Sequence, residues 1–186
     1  MKVLTVERRI EELLIRLKDD FPIACKRVNR LLEKSGDETQ SFTQSLSESD
    51  TLGRVPTLDS QTQRPMSAML RSRFRFCGRW RRLGEVWLSL SQMETVTRNR
   101  QFRKHFRSKK EYWEGSAPAT IPLNRLSVFS VGSHAQGDYT FLVWPSNSTD
   151  SEPELWCYSG QSEMRFKDLE SFLIWIADDS VEAADF

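Results

Sequence analysis

The sequence predicts an α+β fold: one domain in which N-terminal, middle and C-terminal helices pack on an antiparallel-rich mixed sheet. Three observations carry this expectation. Val6, Ile10, Leu13, Leu14 and Leu17 recur at helical spacing near the start of the chain. Short β-branched and aromatic runs follow one another from Leu126 onward, separated by Gly, Asn, Ser, Asp or Pro. Leu169, Phe172, Leu173 and Ile176 then return to helical spacing. A chain of 186 residues suits a single domain, and 38% hydrophobic residues, with 11 Phe and 6 Trp, suffice for its core.

The first helix is expected over residues 6 to 19, with Glu11, Glu12, Arg16 and Lys18 outward. Phe21-Pro22 interrupts it, because proline disfavours helix in the residue before it and suits the first turn of the next. A second helix is expected from about Pro22 to Lys34, ending at Ser35-Gly36-Asp37. Residues 37–67 turn rich in Ser, Thr, Gln, Asp and Pro, with little apolar surface to offset ordering entropy, and are read as a polar flexible insert. Arg71 to Cys77 alternates charged with aromatic or apolar side chains, the period of a half-buried strand, and Val86 to Leu88 suggests another. Ser91, with Glu94 reaching back, is expected to cap a helix running to about Phe106, with Met93, Val96, Phe102 and Phe106 inward. Strands follow at Leu126 to Val131, Tyr139 to Trp144, Glu154 to Tyr158 and Glu163 to Phe166, then a helix from about Asp168 to Ala177 and an acidic tail at 179–186. Tyr139 to Trp144 is apolar on both alternating faces, as in a central strand, and Gly137-Asp138 ahead of it reads as a turn.

Chemistry is scarce in the motifs. No phosphate loop, dinucleotide fingerprint, nucleophile elbow or HExxH pattern is present. Cys25, Cys77 and Cys157 are an odd number at wide spacing, which suggests neither a disulfide framework nor a thiolate metal site. His105 and His134 are the only imidazoles, too few for a zinc site of ordinary ligand number. His105 sits among cations and is expected on a helix surface. His134 with Asp138, or with Cys157 as a nucleophile, has the residue types of an acid/base or Cys-His pair, but no spacing that recommends one. The expectation is a protein that is no enzyme and needs no cofactor or metal. No apolar window approaches a membrane span and the N-terminus lacks a signal-peptide pattern, so the cytoplasm is the expected compartment.

Charge is the strongest asymmetry. Arg71 to Lys110 holds 13 Lys or Arg against Glu85 and Glu94, whereas Asp150 to Phe186 holds ten acids against Arg165 and Lys167. The basic segment interleaves Phe74, Phe76, Trp80, Trp87, Phe102, Phe106, Tyr112 and Trp113, which gives nucleic-acid binding a physical basis. Against that stands a plainer reading: the aromatics are core and the arginines are solvated or pair with the acidic block.

Trp80 to Phe106, with a strand, the step Leu88-Ser-Leu90 and a capped helix, resembles the SUKH superfamily of Smi/Knr-type yeast cell-wall regulators and bacterial immunity proteins. The likeness continues through Ile121-Pro-Leu, Phe129-Ser-Val-Gly132, Gly137-Asp-Tyr-Thr-Phe-Leu-Val, Glu154-Leu-Trp-Cys-Tyr and Phe166-Lys-Asp-Leu-Glu-Ser-Phe-Leu-Ile-Trp175; the last two look like that family's Val-Tyr-Tyr strand and closing helix. It covers roughly residues 6–36 and 70–178. What it implies is a protein-binding module, an immunity protein that neutralises a toxin domain such as a nuclease by contact, or a regulatory scaffold of the cell-wall type. On that reading Asp150, Glu152, Glu154, Asp178 and Asp179 are candidate partner-binding residues, suited to covering a basic groove.

Overall fold

In a computed structural model the described residues are 5–23, 41–42, 53–59, 61–82, 84–132, 137–146, 151–160 and 162–182. The first helix, α1 (Val6–Asp19), forms as its spacing predicts: Thr5 caps it and Ile10, Leu14 and Leu17 are fully buried. The expected helix from Pro22 to Lys34 lies outside the described residues beyond Ile23.

Seven strands build one sheet in the order β1 (Ser41–Phe42), β4 (Trp80–Arg82), β5 (Glu85–Trp87), β6 (Leu126–Gly132), β7 (Tyr139–Val143), β8 (Glu154–Ser159) and β9 (Ser162–Phe166). Every pairing is antiparallel, so the sheet contains no mixed portion among the described residues. From β4 to β9 each strand pairs with the next in the chain, a meander. β7 lies between β6 and β8 with all five residues buried, as its two-sided apolar pattern requires.

Part of the polar 37–67 stretch is built into the fold. β2 (Arg54–Pro56) and β3 (Gln63–Pro65) form a separate two-stranded hairpin. Val55 there is fully buried, and Ser127 donates to the Pro56 carbonyl at 2.6 Å. One well-placed valine and backbone bonds to β6 anchor a segment whose composition alone reads as unstructured.

The expected strand at Arg71 to Cys77 is instead a helix, α2 (Ala68–Phe76), capped by Ser67. Met69, Leu70, Arg73 and Phe74 share one buried face, and packing against α1 overrides the period-two alternation. Burial extends to the guanidinium of Arg73, which donates to the Cys77 and Gly78 carbonyls and lies against the faces of Phe74, Trp87 and Phe129. The strand expected at Val86 to Leu88 is β5, shifted by one residue, and β4 precedes it.

The single middle helix is also corrected, to two. α3 (Leu90–Val96) carries a capping box formed by Ser89 and Gln92, two residues ahead of the expected Ser91 and Glu94. The chain breaks at Thr97 to Asn99 before α4 (Arg100–Tyr112), followed by the short α5 (Ala117–Thr120). α6 (Leu169–Glu182) closes the chain, with the Asp168 carboxylate accepting from the Ser171 amide at 2.8 Å. It runs past Ala177 into the stretch expected as an acidic tail; residues 183–186 lie outside the described ones.

Two helical layers flank the sheet. On one face α6 sets Phe172 against Trp87, Phe129 and Phe166, while α1 packs on α2 and α6. On the other face α4 sets Phe102 edge-on to Tyr139 and Phe106 against Phe141, and Trp113 beyond it meets Tyr158 edge-on.

Candidate interaction surface

α4 carries most of the exposed cations of the basic segment. Asn99 starts it, its side-chain oxygen accepting from the Gln101 and Phe102 amides at 2.8 and 3.1 Å. Its inner face is fixed at three heights. Phe102 is buried against Tyr139; His105 Nδ1 lies 3.3 Å from the Tyr139 hydroxyl; and Lys109 Nζ sits 4.3 Å and 4.8 Å from the Trp113 and Tyr158 rings. His105 is therefore half-buried and faces the sheet, unlike the plain surface residue expected of it. Burial pushes the Tyr139 phenol up to about 12, with Asp138 adding to the shift, and lowers the Lys109 ammonium against the opposing pull of Asp138 and Glu163.

The outer face carries Arg100, Arg103, Lys104, Arg107 and Lys110, all exposed, with exposed Arg98 just before it. Among the described residues none of the six takes part in an ion pair, whereas cations elsewhere do: Arg8 with Glu12, Arg9 with Glu170, Arg16 with Asp20 and Asp178, Arg71 with Glu7, and Arg165 with Glu163. The stripe from Arg100 to Lys110 is about 15 Å long at helical rise. Within it like charges stand three or four apart, an arrangement that costs roughly 0.2–0.5 kcal/mol per pair in an isolated helix. Arg100 further opposes the positive N-terminal end of the helix dipole.

Beside this stripe lies a groove of about 590 Å³ between the β2–β3 hairpin and the α3–α4 junction. The hairpin contributes Thr57, Leu58 and Gln63, and the helices contribute Thr97, Arg98 and Arg103, with Glu94 also at the groove. A second cleft, about 390 Å³, opens between α3–α4 and β6–β7, where Gln101, His105 and Tyr139 converge.

Three of the five acidic residues expected to bind a partner make contacts within the chain. Glu152 accepts from the Met69 amide at 3.0 Å, in the first turn of α2. Glu154 accepts from Trp156 Nε1 at 2.8 Å, and Asp178 lies 4.0 Å from Arg16. Asp150 lies outside the described residues; Asp179 belongs to α6.

The catalytic pairings weighed from sequence find no assembly in the described residues. His134 lies outside them. Asp138 is engaged at a turn, accepting from the Gly160 amide at 2.9 Å, and Gly137 beside it has φ +96°, a conformation glycine adopts without strain. Cys157 is buried, its thiol pushed up to about 12 by desolvation, and receives a bond from Thr140. Among the described residues no group of three or more His, Cys, Asp and Glu could hold a metal ion, and no helix is long and apolar enough to cross a membrane. The basic segment offers little open aromatic surface to a base, since Phe74, Trp80, Trp87 and Phe102 are buried and only Tyr112 is widely open, at 83% exposure.

Sequence reasoning missed the groove, because the hairpin that walls it falls in the stretch read as a flexible insert. Comparison with known proteins returns no matching family model, no matching curated protein and no matching solved structure.

Proposed function

We propose that this chain is a non-enzymatic protein-binding module of the SUKH kind, an immunity protein that neutralises a toxin by direct contact. One observation supports the reading above the others. The resembling segments fall one after another on adjoining elements: β5 with α3, then β6, β7, β8 and finally α6.

Nucleic-acid binding remains the second reading, favoured by the unpaired cations of α4 and weakened by the burial of most aromatics that would stack on bases. Co-purification of the full-length chain from its native host, followed by mass spectrometry, separates the two. The expected result is a protein retained in near-stoichiometric amount whose toxic activity is suppressed on remixing. Retention of nucleic acid alone, released by nuclease treatment, overturns the proposal.

A further inference from the structure

We infer that the docking surface is the cationic outer face of α4 together with the groove beside it, and that the partner offers an acidic loop. This deepens the protein-binding reading and rests on it. It also reverses the polarity expected from sequence, where the acidic block was the candidate contact.

Three observations converge on it. First, Arg8, Arg9, Arg16, Arg71 and Arg165 are paired with acids of the chain, whereas Arg98, Arg100, Arg103, Lys104, Arg107 and Lys110 cluster on one exposed face without an ion-pair partner among the described residues. Their crowding at three- and four-residue spacing is locally unfavourable, and an opposing anion relieves it. Second, the inner face of α4 is held to the sheet by Phe102, His105 and Lys109, so the outer cations project from a fixed support and lose little further freedom on binding. Third, Arg98 and Arg103 belong both to this face and to the groove of about 590 Å³, where with Gln63 and Thr97 they offer hydrogen-bond donors to an entering carboxylate, Glu94 being the one acid of its lining.

An acidic protein loop fits better than a nucleic acid. The formal net charge of the chain is only +1, so the positive field is local and lacks the long-range attraction a polyanion exploits. The aromatics that would grip unpaired bases are in the core.

The test uses the immobilised full-length chain, host lysate, and a ten-residue poly-aspartate peptide as competitor. Wild type is compared with Arg103→Glu/Arg107→Glu, with the milder Arg103→Gln/Arg107→Gln, and with Asp178→Asn; far-UV circular dichroism and melting temperature establish that each is folded. Support is capture of one identified protein by wild type and Asp178→Asn, its displacement by poly-aspartate, about tenfold or greater weakening in the charge-reversed variant, and an intermediate loss in the neutral one. If the charge-altered variants capture the same protein equally well, the surface is wrong while the protein-binding reading stands. If no protein is captured and only nuclease-sensitive material is held, both fall.

Discussion

Replacing Tyr158 with phenylalanine removes the hydroxyl that anchors the start of α5, just beyond α4. The Tyr158 hydroxyl accepts from the Ala117 amide at 2.7 Å, and Ala117 is the first residue of α5, wholly buried. Ser116, which precedes it, makes no capping bond and instead donates to the Lys109 carbonyl. Phenylalanine keeps the edge-on contact with Trp113 and the ring beneath Lys109, so packing is conserved and only the hydroxyl disappears, with the bond it accepts from Ala117 and the one it shares with the more accessible Glu163. A buried amide left without an acceptor costs about 1–3 kcal/mol, here taken near 2. For a domain of this size that corresponds to a fall in Tm of about 4–8 °C, read by differential scanning calorimetry and cross-checked by urea unfolding. Hydrogen exchange is expected to quicken at Ala117 and in the last turn of α4 while the β6–β8 amides keep their protection. A loss below about 0.5 kcal/mol would mean that the Ala117 amide finds another partner, which would refute the assignment of Tyr158 as its sole acceptor.

Further outcomes follow from the same geometry. Asn99→Ala removes the acceptor for two amides at the start of α4 and is expected to cost about 1 kcal/mol in urea denaturation. Phe102→Ala empties the space between α4 and Tyr139, with an expected loss of roughly 3–5 kcal/mol by the same measurement. Cys157 has an ordinary value of 9.0 raised to about 12 by burial, so the fold holds the protonated thiol. Its contribution to stability is complete below about pH 9 and is lost as pH climbs toward 12, and alkylation at pH 8 mapped by mass spectrometry should spare Cys157 until urea is added.

What could be read from the sequence followed how local its cause was. The apolar face of α1, the strands β6 to β9 and the capped start of α6 are each specified by their own residues, and each appears where its pattern put it. α2 misled because Phe74 and Phe76 alternate with arginines, and a charged residue reads as outward. The buried guanidinium of Arg73, held by the Cys77 and Gly78 carbonyls and three rings, breaks that assumption. The hairpin and its groove depend on Val55 and on bonds to β6 some seventy residues away, which no local window displays. The candidate surface was half legible. Excess positive charge between Arg71 and Lys110 was plain, but nothing in the string distinguishes buried Arg73 and Arg82 from exposed Arg103 and Arg107. Likewise the acidic block announces charge and conceals that Glu152 is committed to α2 and Asp178 to α1.

The meander ends at β9, whose outer edge has no neighbouring strand among the described residues. Such an edge can recruit a second chain into a growing ribbon. Here it is five residues long, and Glu163 and Arg165 are joined by Lys167 just past its end. Arg165 is exposed and lies across the sheet face, its guanidinium 3.6 Å from the Trp156 ring centre and donating to the Gly115 carbonyl. An incoming strand would have to bury or displace the Glu163–Arg165 ion pair. The last strand thus acts as a terminator: the sheet can be broad and its core rich in aromatic residues without its margin becoming a seed for fibres.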